Sequence, residues 1–180
     1  MRFMREKEKA IALAKKHKSH NPFEIISGMN AFIVFAPLYD VKGFYQHFQR
    51  NNIIYIDENL SESEQLFVCA HELGHMLLHK KENCIYMDTY TNFNTNKYEN
   101  EADLFAIELL VPDEIITEHK GYTTEQLARL LGYSKRLIEQ KRLHMEPNNK
   151  HWQRLGVVPQ TLSPLSKIKQ LHILILKSAI

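Results

Sequence analysis

The pentapeptide His71-Glu72-Leu73-Gly74-His75 constrains this chain more than any other feature of its sequence. On a helix, two histidines at positions i and i+4 lie on one face and can direct their imidazoles at a single cation. The glutamate between them lies near that face, where it can hold a water molecule against the ion. The pattern therefore predicts a metal centre with His71 and His75 as ligands and Glu72 as the catalytic base.

The surrounding sequence predicts a helix from about residue 62 to residue 79. Ser61 precedes Glu64 by three residues just ahead of an apolar run, which is the capping-box pattern of a helix start. The rest of this helix is largely apolar, and burying two histidines and a glutamate in it is costly unless they bind something. A metal-binding role is therefore favoured over a role as satisfied core histidines.

A hydrolytic zinc site needs a third protein ligand and an open position for water. His79 does not qualify as that ligand, because eight residues of helix place it about 12 Å from His71 along the axis. The metzincin extension is absent as well, since its glycine and histidine positions are occupied by Leu78 and Lys81. The third ligand must come from another part of the chain.

A second predicted helix, from about residue 98 to residue 110, supplies carboxylates for this purpose. Glu99 and Asp103 lie one helical turn apart, so one can bind the metal while the other orients a ligand imidazole. Glu101 is the rival candidate. Spacing alone does not choose between Glu99 and Glu101.

Helices and strands are also predicted before the metal-binding helix. An amphipathic pattern predicts a helix over residues 6–18 with solvent-facing lysines, and Asn21-Pro22 begins a short second helix. Runs rich in Ile, Val, Phe and Tyr at 31–35, 43–48 and 52–57 predict a small antiparallel sheet. The fold class is therefore α+β.

Two further helices are predicted at residues 123–131 and 134–143, on either side of Gly132. A basic segment of helix, glycine-containing turn and helix is typical of DNA-binding helix-turn-helix units. One such unit binds DNA weakly by itself. Packing within the domain or docking of another protein is therefore favoured over direct DNA binding.

Composition and charge narrow the class of protein. The chain has 180 residues, 44% of them hydrophobic, with six Gly and six Pro, which is typical of a soluble globular protein. The apolar run Leu171–Leu176 is far too short to span a membrane, and no signal peptide is recognisable, so we expect a cytoplasmic protein. Cys69 and Cys84 are too few for a disulfide framework and are expected to be free thiols.

Together, these motifs resemble the ImmA/IrrE family of zinc metallopeptidases. The resemblance rests on residues 71–79 and 101–112 and covers roughly residues 5–145. It implies a zincin-like, gluzincin-type peptidase domain over residues 1–145, with residues 119–145 as its helix pair and residues 146–180 as a tail of unknown role. The family places its third ligand on the Glu directly before Ala, which implies Glu101 and leaves Glu99 and Asp103 as supporting or alternative ligands.

The resemblance also implies an activity. Relatives encoded on prophages and integrative elements cleave a helix-turn-helix repressor and so relieve repression. We therefore expect a Zn²⁺ endopeptidase in which Glu72 takes a proton from the attacking water, although Mn²⁺ uses similar ligands. The strand at Ile53–Ile56 is interpreted as an ordinary core strand, with a sheet edge that pairs with an extended substrate as the alternative. Four residues are unranked candidates for stabilising the oxyanion: Tyr98, His79, Tyr86 and Tyr90.

The alternative is a non-enzymatic protein that uses the same fold to bind a repressor or DNA. The intact Glu72 argues against it, because a scaffold has no chemical need for a base beside the water.

Overall fold

The computed structural model describes residues 4–79 and 95–145 of the chain. Two compact units divide after Leu110, where Val111-Pro112 interrupts the helical pattern. The first contains α1 (Met4–His17), α2 (Pro22–Ser27), β1 (Ala31–Ala36), β2 (Gly43–Phe48), β3 (Asn51–Asp57), α3 (Glu62–Leu78) and α4 (Thr95–Leu110). The second contains α5 (Asp113–Glu118), α6 (Thr124–Leu131) and α7 (Lys135–Leu143). The predicted tail at 146–180 lies outside the described residues.

The α+β class is confirmed, but the sheet is mixed rather than antiparallel. Its strand order is β1-β3-β2, with β1 parallel to β3 and β2 antiparallel to β3. Each connection reverses the chain, so the first and third strands run in the same direction. Because β3 then inserts between its two predecessors, these parallel strands become neighbours.

One face of the sheet packs against α3. Ile54 and Ile56 of β3 are fully buried, as their alternation along the strand requires. Gly43 at the start of β2 permits the close approach. A Cβ at this position would lie 2.7 Å from the carbonyl oxygen of Tyr55 and closer still to the Val68 side chain.

The contact between α3 and α4 depends on Gly74, the fourth residue of the His71–His75 pentapeptide. A Cβ there would lie 3.1 Å from Cδ1 of Phe105 and 3.2 Å from Cα of Ala102. Small residues on both helices therefore bring their backbones close together. Cys69 on α3 is a free and fully buried thiol.

Helix α1 packs on α4 and contradicts one sequence expectation. Ala10 and Ala14 are buried as the amphipathic pattern predicts, but Lys7 is only 5% exposed. Its Nζ lies 3.6 Å from Oε2 of the buried Glu108, so the prediction of solvent-facing lysines is wrong at this position. Lys9 Nζ donates to the Leu77 carbonyl at 3.2 Å, near the end of α3.

The second unit contains the helix pair around Gly132. Gly132 ends α6 in the left-handed region at φ 75°, and Ser134 caps the start of α7. Several basic side chains are engaged inside this unit. Lys141 Nζ donates to Asp113 at 2.5 Å, and Arg142 donates to the Tyr122 carbonyl at 2.6 Å.

No helix within residues 4–79 and 95–145 is both long enough and apolar enough to cross a membrane.

We predict that Gly43→Ala lowers the free energy of unfolding by about 1–3 kcal/mol, because the added methyl group overpacks the contact between β2 and α3. Urea denaturation followed by circular dichroism measures the change. Gly121→Ala is the matched control, since nothing lies within 4 Å of a Cβ built there. Equal stability of the two variants would show that the β2–α3 contact can accommodate the added methyl group.

Candidate metal centre

The two histidines of the pentapeptide meet a carboxylate from α4. The Nε2 atoms of His71 and His75 lie 3.0 Å apart. Glu99 places Oε2 3.2 Å from Nε2 of His71 and Oε1 3.4 Å from Nε2 of His75. Within the described ranges, this is the one group of three or more His, Cys, Asp or Glu side chains whose donor atoms all lie within 4.8 Å of one another.

The spacing of these donors fits a single divalent cation. Ligands about 2.0–2.1 Å from a tetrahedral zinc ion are separated by about 3.3 Å, close to the distances found here. Two imidazoles and one carboxylate leave one tetrahedral position for water. The Glu99 side chain is 50% exposed and the His71 side chain 15%, so that position is accessible from their side.

Glu101 does not join this cluster, in contrast to the expectation from the family resemblance. Its Oε2 lies 3.0 Å from Nε2 of His79. Two residues turn an α-helix by about 200°, so Glu99 and Glu101 leave α4 in different directions. The geometry therefore favours Glu99 as the third ligand.

Asp103 supports His71 from behind. Its Oδ1 lies 3.0 Å from Nδ1 of His71, the ring nitrogen that faces away from the cluster. Burial lowers the pKa of His71, but hydrogen bonds with Asp103 and Glu99 outweigh burial and raise the pKa to about 9. Hydrogen bonds from His71 and from His75 in turn hold the pKa of the Glu99 carboxyl group well below its usual range. The carboxylates thus favour positive charge at this point, which a bound cation can supply in place of protons.

Glu72 is buried beside the ligand residues. Burial raises the pKa of its carboxyl group, while the neighbouring His71 and His75 and a hydrogen bond from the Tyr45 backbone N–H oppose the rise. A carboxylate with a raised pKa is better suited to accept a proton near neutral pH than an exposed one.

The structure argues against His79 as an oxyanion donor. Its Nδ1 lies 3.1 Å from Nδ1 of His75 and its Nε2 contacts Glu101, so both ring nitrogens are already engaged. Tyr98 packs edge-on against the His79 ring, with centroids 4.8 Å apart. Its role toward an oxyanion stays a prediction, and Tyr86 and Tyr90 lie outside the described residues.

The favoured interpretation of Ile53–Ile56 as a core strand is confirmed, and the alternative of a substrate-binding sheet edge is wrong. These residues belong to β3, which has a strand on both sides. Among the described strands the sheet edges belong to β1 and β2, and β2 is the one that packs against α3.

Sequence reasoning missed the contact between His75 and His79. The available signal was the one-turn spacing of His71, His75 and His79 along α3, which places three imidazoles on one helix face.

Comparison with known proteins places this chain in a peptidase family. The sequence model of the IrrE N-terminal-like domain, a peptidase family, matches residues 27–143. The chain is similar to "Uncharacterized immunity region protein 2" of Bacillus phage phi105, with 40% identity over 134 residues that cover 73% of this chain and 85% of the phage protein. It is also similar to "Metallopeptidase ImmA" of Bacillus subtilis (strain 168), with 34% identity over 128 residues that cover 68% of this chain and 75% of that protein.

We predict that Glu99→Ala weakens zinc binding more than 100-fold, because it removes a ligand, whereas Glu101→Ala weakens it at most 100-fold, as expected for a supporting residue. Competition with a chromophoric chelator measures both dissociation constants. Retention of tight binding by Glu99→Ala together with loss of stoichiometric binding by Glu101→Ala would reverse the assignment in favour of Glu101.

A second prediction concerns Asp103. Asp103→Asn is expected to weaken zinc binding about 10–100-fold, because the amide orients the His71 imidazole less well than the carboxylate does. The same competition assay applies, with Asp40→Asn at an exposed position as the matched control. Wild-type affinity in Asp103→Asn would mean that this hydrogen bond does not support the metal centre.

Proposed function

Since this chain belongs to the peptidase family of the IrrE N-terminal-like domain, we propose that it is a zinc-dependent endopeptidase that cleaves a helix-turn-helix repressor of its own mobile element. The convergence of His71, His75 and Glu99 beside the buried Glu72 carries the proposal. A protein that only binds a repressor has no use for a carboxylate held at this position.

The donor set supports zinc as the cofactor. Two imidazole nitrogens and a carboxylate oxygen form a three-ligand set of the kind found at catalytic zinc sites, and Mn²⁺ accepts the same ligand types. When bound, the ion supplies the Lewis acidity that makes water nucleophilic near neutral pH and polarises the scissile carbonyl.

The protein's own groups hold the reactants and move the proton. Glu72 accepts a proton from the attacking water and delivers it to the leaving amine. Its carboxylate is held by the Tyr45 backbone N–H on β2, so the base is fixed between the sheet and α3. Asp103 keeps the His71 ring turned with Nε2 toward the cluster.

The names of the relatives support the substrate class. One similar protein is named a metallopeptidase, and the other is named for a phage immunity region. The resemblance to repressor-cleaving peptidases of mobile elements then makes a helix-turn-helix repressor the substrate to test first.

The second unit favours protein contact over direct DNA binding. Its basic side chains Lys135, Lys141 and Arg142 pair with groups inside the unit, which leaves less positive charge for phosphates. The helix pair therefore fits a role in packing or in contact with a repressor.

The test is to incubate zinc-loaded protein with the helix-turn-helix repressor encoded nearest to its gene and to measure intact mass. We expect one cut by the wild type and a rate about 10²–10⁴-fold lower for Glu72→Gln, because the general base is removed while the ligands stay. Zinc content measured in parallel should be unchanged.

Glu62→Gln is the matched control, because it makes the same chemical change at an exposed position of the same helix. If wild type and Glu72→Gln both bind the repressor and leave it whole with zinc present, the protein acts by sequestration. If both cut it equally, Glu72 is not the base.

A further inference from the structure

His79, the residue that caps the C-terminus of α3, has no role in the mechanism above. His79 lies one turn beyond His75, is buried, and bridges His75 and Glu101. We propose that His79 and Glu101 form a positioning pair that orients His75 and strengthens its bond to the metal ion. This proposal rests on the metal centre of the proposed function, and it concerns two residues that do not bind the ion.

The geometry defines the direction of the hydrogen bonds. Nε2 of His75 faces the donor cluster, so its Nδ1 faces the opposite way, 3.1 Å from Nδ1 of His79. Two ring nitrogens at this distance form a hydrogen bond only when one donates and the other accepts. Which of them donates depends on the proton at the other nitrogen of His79.

Glu101 determines which of the two Nδ1 atoms donates. A carboxylate accepts hydrogen bonds, so Nε2 of His79, 3.0 Å from Glu101 Oε2, carries the proton and donates it. Nδ1 of the neutral His79 ring is then an acceptor, and Nδ1 of His75 donates to it. Nε2 of His75 is left with its lone pair directed at the cluster, as metal binding requires.

The opposite direction of the His75–His79 hydrogen bond is unfavourable both at Glu101 and at the donor cluster. If His79 donated through Nδ1, its bare Nε2 would face the carboxylate oxygen of Glu101 without a proton between them. His75 would then carry its proton on Nε2, pointed into the donor cluster. Glu101 therefore selects the tautomer of His75 that can bind a cation, and it acts through the His79 ring.

Burial makes the pair effective. His75 is 3% exposed and His79 is 5% exposed, so water cannot readily replace the hydrogen bond between them. The ring of Tyr98 packs edge-on against His79 and restricts its rotation. Each histidine of the cluster thus has a carboxylate behind it. Asp103 contacts His71 directly, whereas Glu101 acts on His75 through the His79 imidazole.

The experiment measures the zinc dissociation constant of full-length protein by chelator competition. We expect His79→Phe and Glu101→Ala each to weaken binding about 10–100-fold, because either change removes the proton-ordering contact. His79→Gln is the conservative variant: its amide can accept from His75 through oxygen and donate to Glu101 through nitrogen, so it should retain most of the affinity. His119→Phe is the matched control, since it removes another buried histidine in the second unit.

Double variants separate positioning from general damage. The double variant His79→Phe/Glu101→Ala should lose no more zinc affinity than the more damaging single variant, because both substitutions break the same chain of hydrogen bonds. Glu101→Ala combined with Asp103→Asn should show additive losses, because these residues support different imidazoles. The visible spectrum of the Co²⁺-loaded protein should change in His79→Phe and stay like wild type in His79→Gln.

Three outcomes would overturn the proposal. Wild-type zinc affinity in folded His79→Phe would show that the contact has no influence on the metal centre. Equal loss in His79→Phe and His79→Gln would show that His79 acts by its shape and not by its hydrogen bonds. A wild type that binds no zinc would overturn the proposed function and this inference together, whereas the first two results leave the proposed function intact.

Discussion

The close contact of α3 with α4 at Gly74 is the constraint on which the candidate site depends. The donors come from two helices, and their separations of 3.0–3.4 Å hold only while the helix backbones stay this close. Glycine inside a helix costs about 1 kcal/mol relative to alanine. Here it is required because a methyl group would meet Ala102 and Phe105 of the partner helix.

Helix α1 stabilises the same arrangement from another side. Lys9 binds a carbonyl oxygen near the end of α3, and the buried Lys7 pairs with Glu108 on α4. One helix therefore contacts both ligand-bearing helices through charged side chains. Such pairs add little net stability in the protein interior, but breaking one leaves an unpaired buried charge, so they oppose any other packing of α1.

Features set by local spacing could be predicted from the sequence, whereas features set by packing could not. The pentapeptide, the capping box at Ser61 and the turn at Gly132 depend on residues a few positions apart, and the structure places each where the pattern indicates. The parallel pairing of β1 depends on β3 inserting beside it. Whether Glu99 or Glu101 lies beside His71 and His75 depends on how α4 is rotated about its axis relative to α3, which no local pattern records.

The unequal exposure of the three donor side chains would set the order in which they release a bound cation. The Glu99 side chain is half exposed, whereas His75 is almost fully buried and its Nδ1 lies 3.1 Å from Nδ1 of His79. A cation held by these three groups would lose the Glu99 carboxylate first and the His75 imidazole last. An incoming ion or a chelator would reach the cluster from the Glu99 side, where the donor side chains are most exposed to solvent.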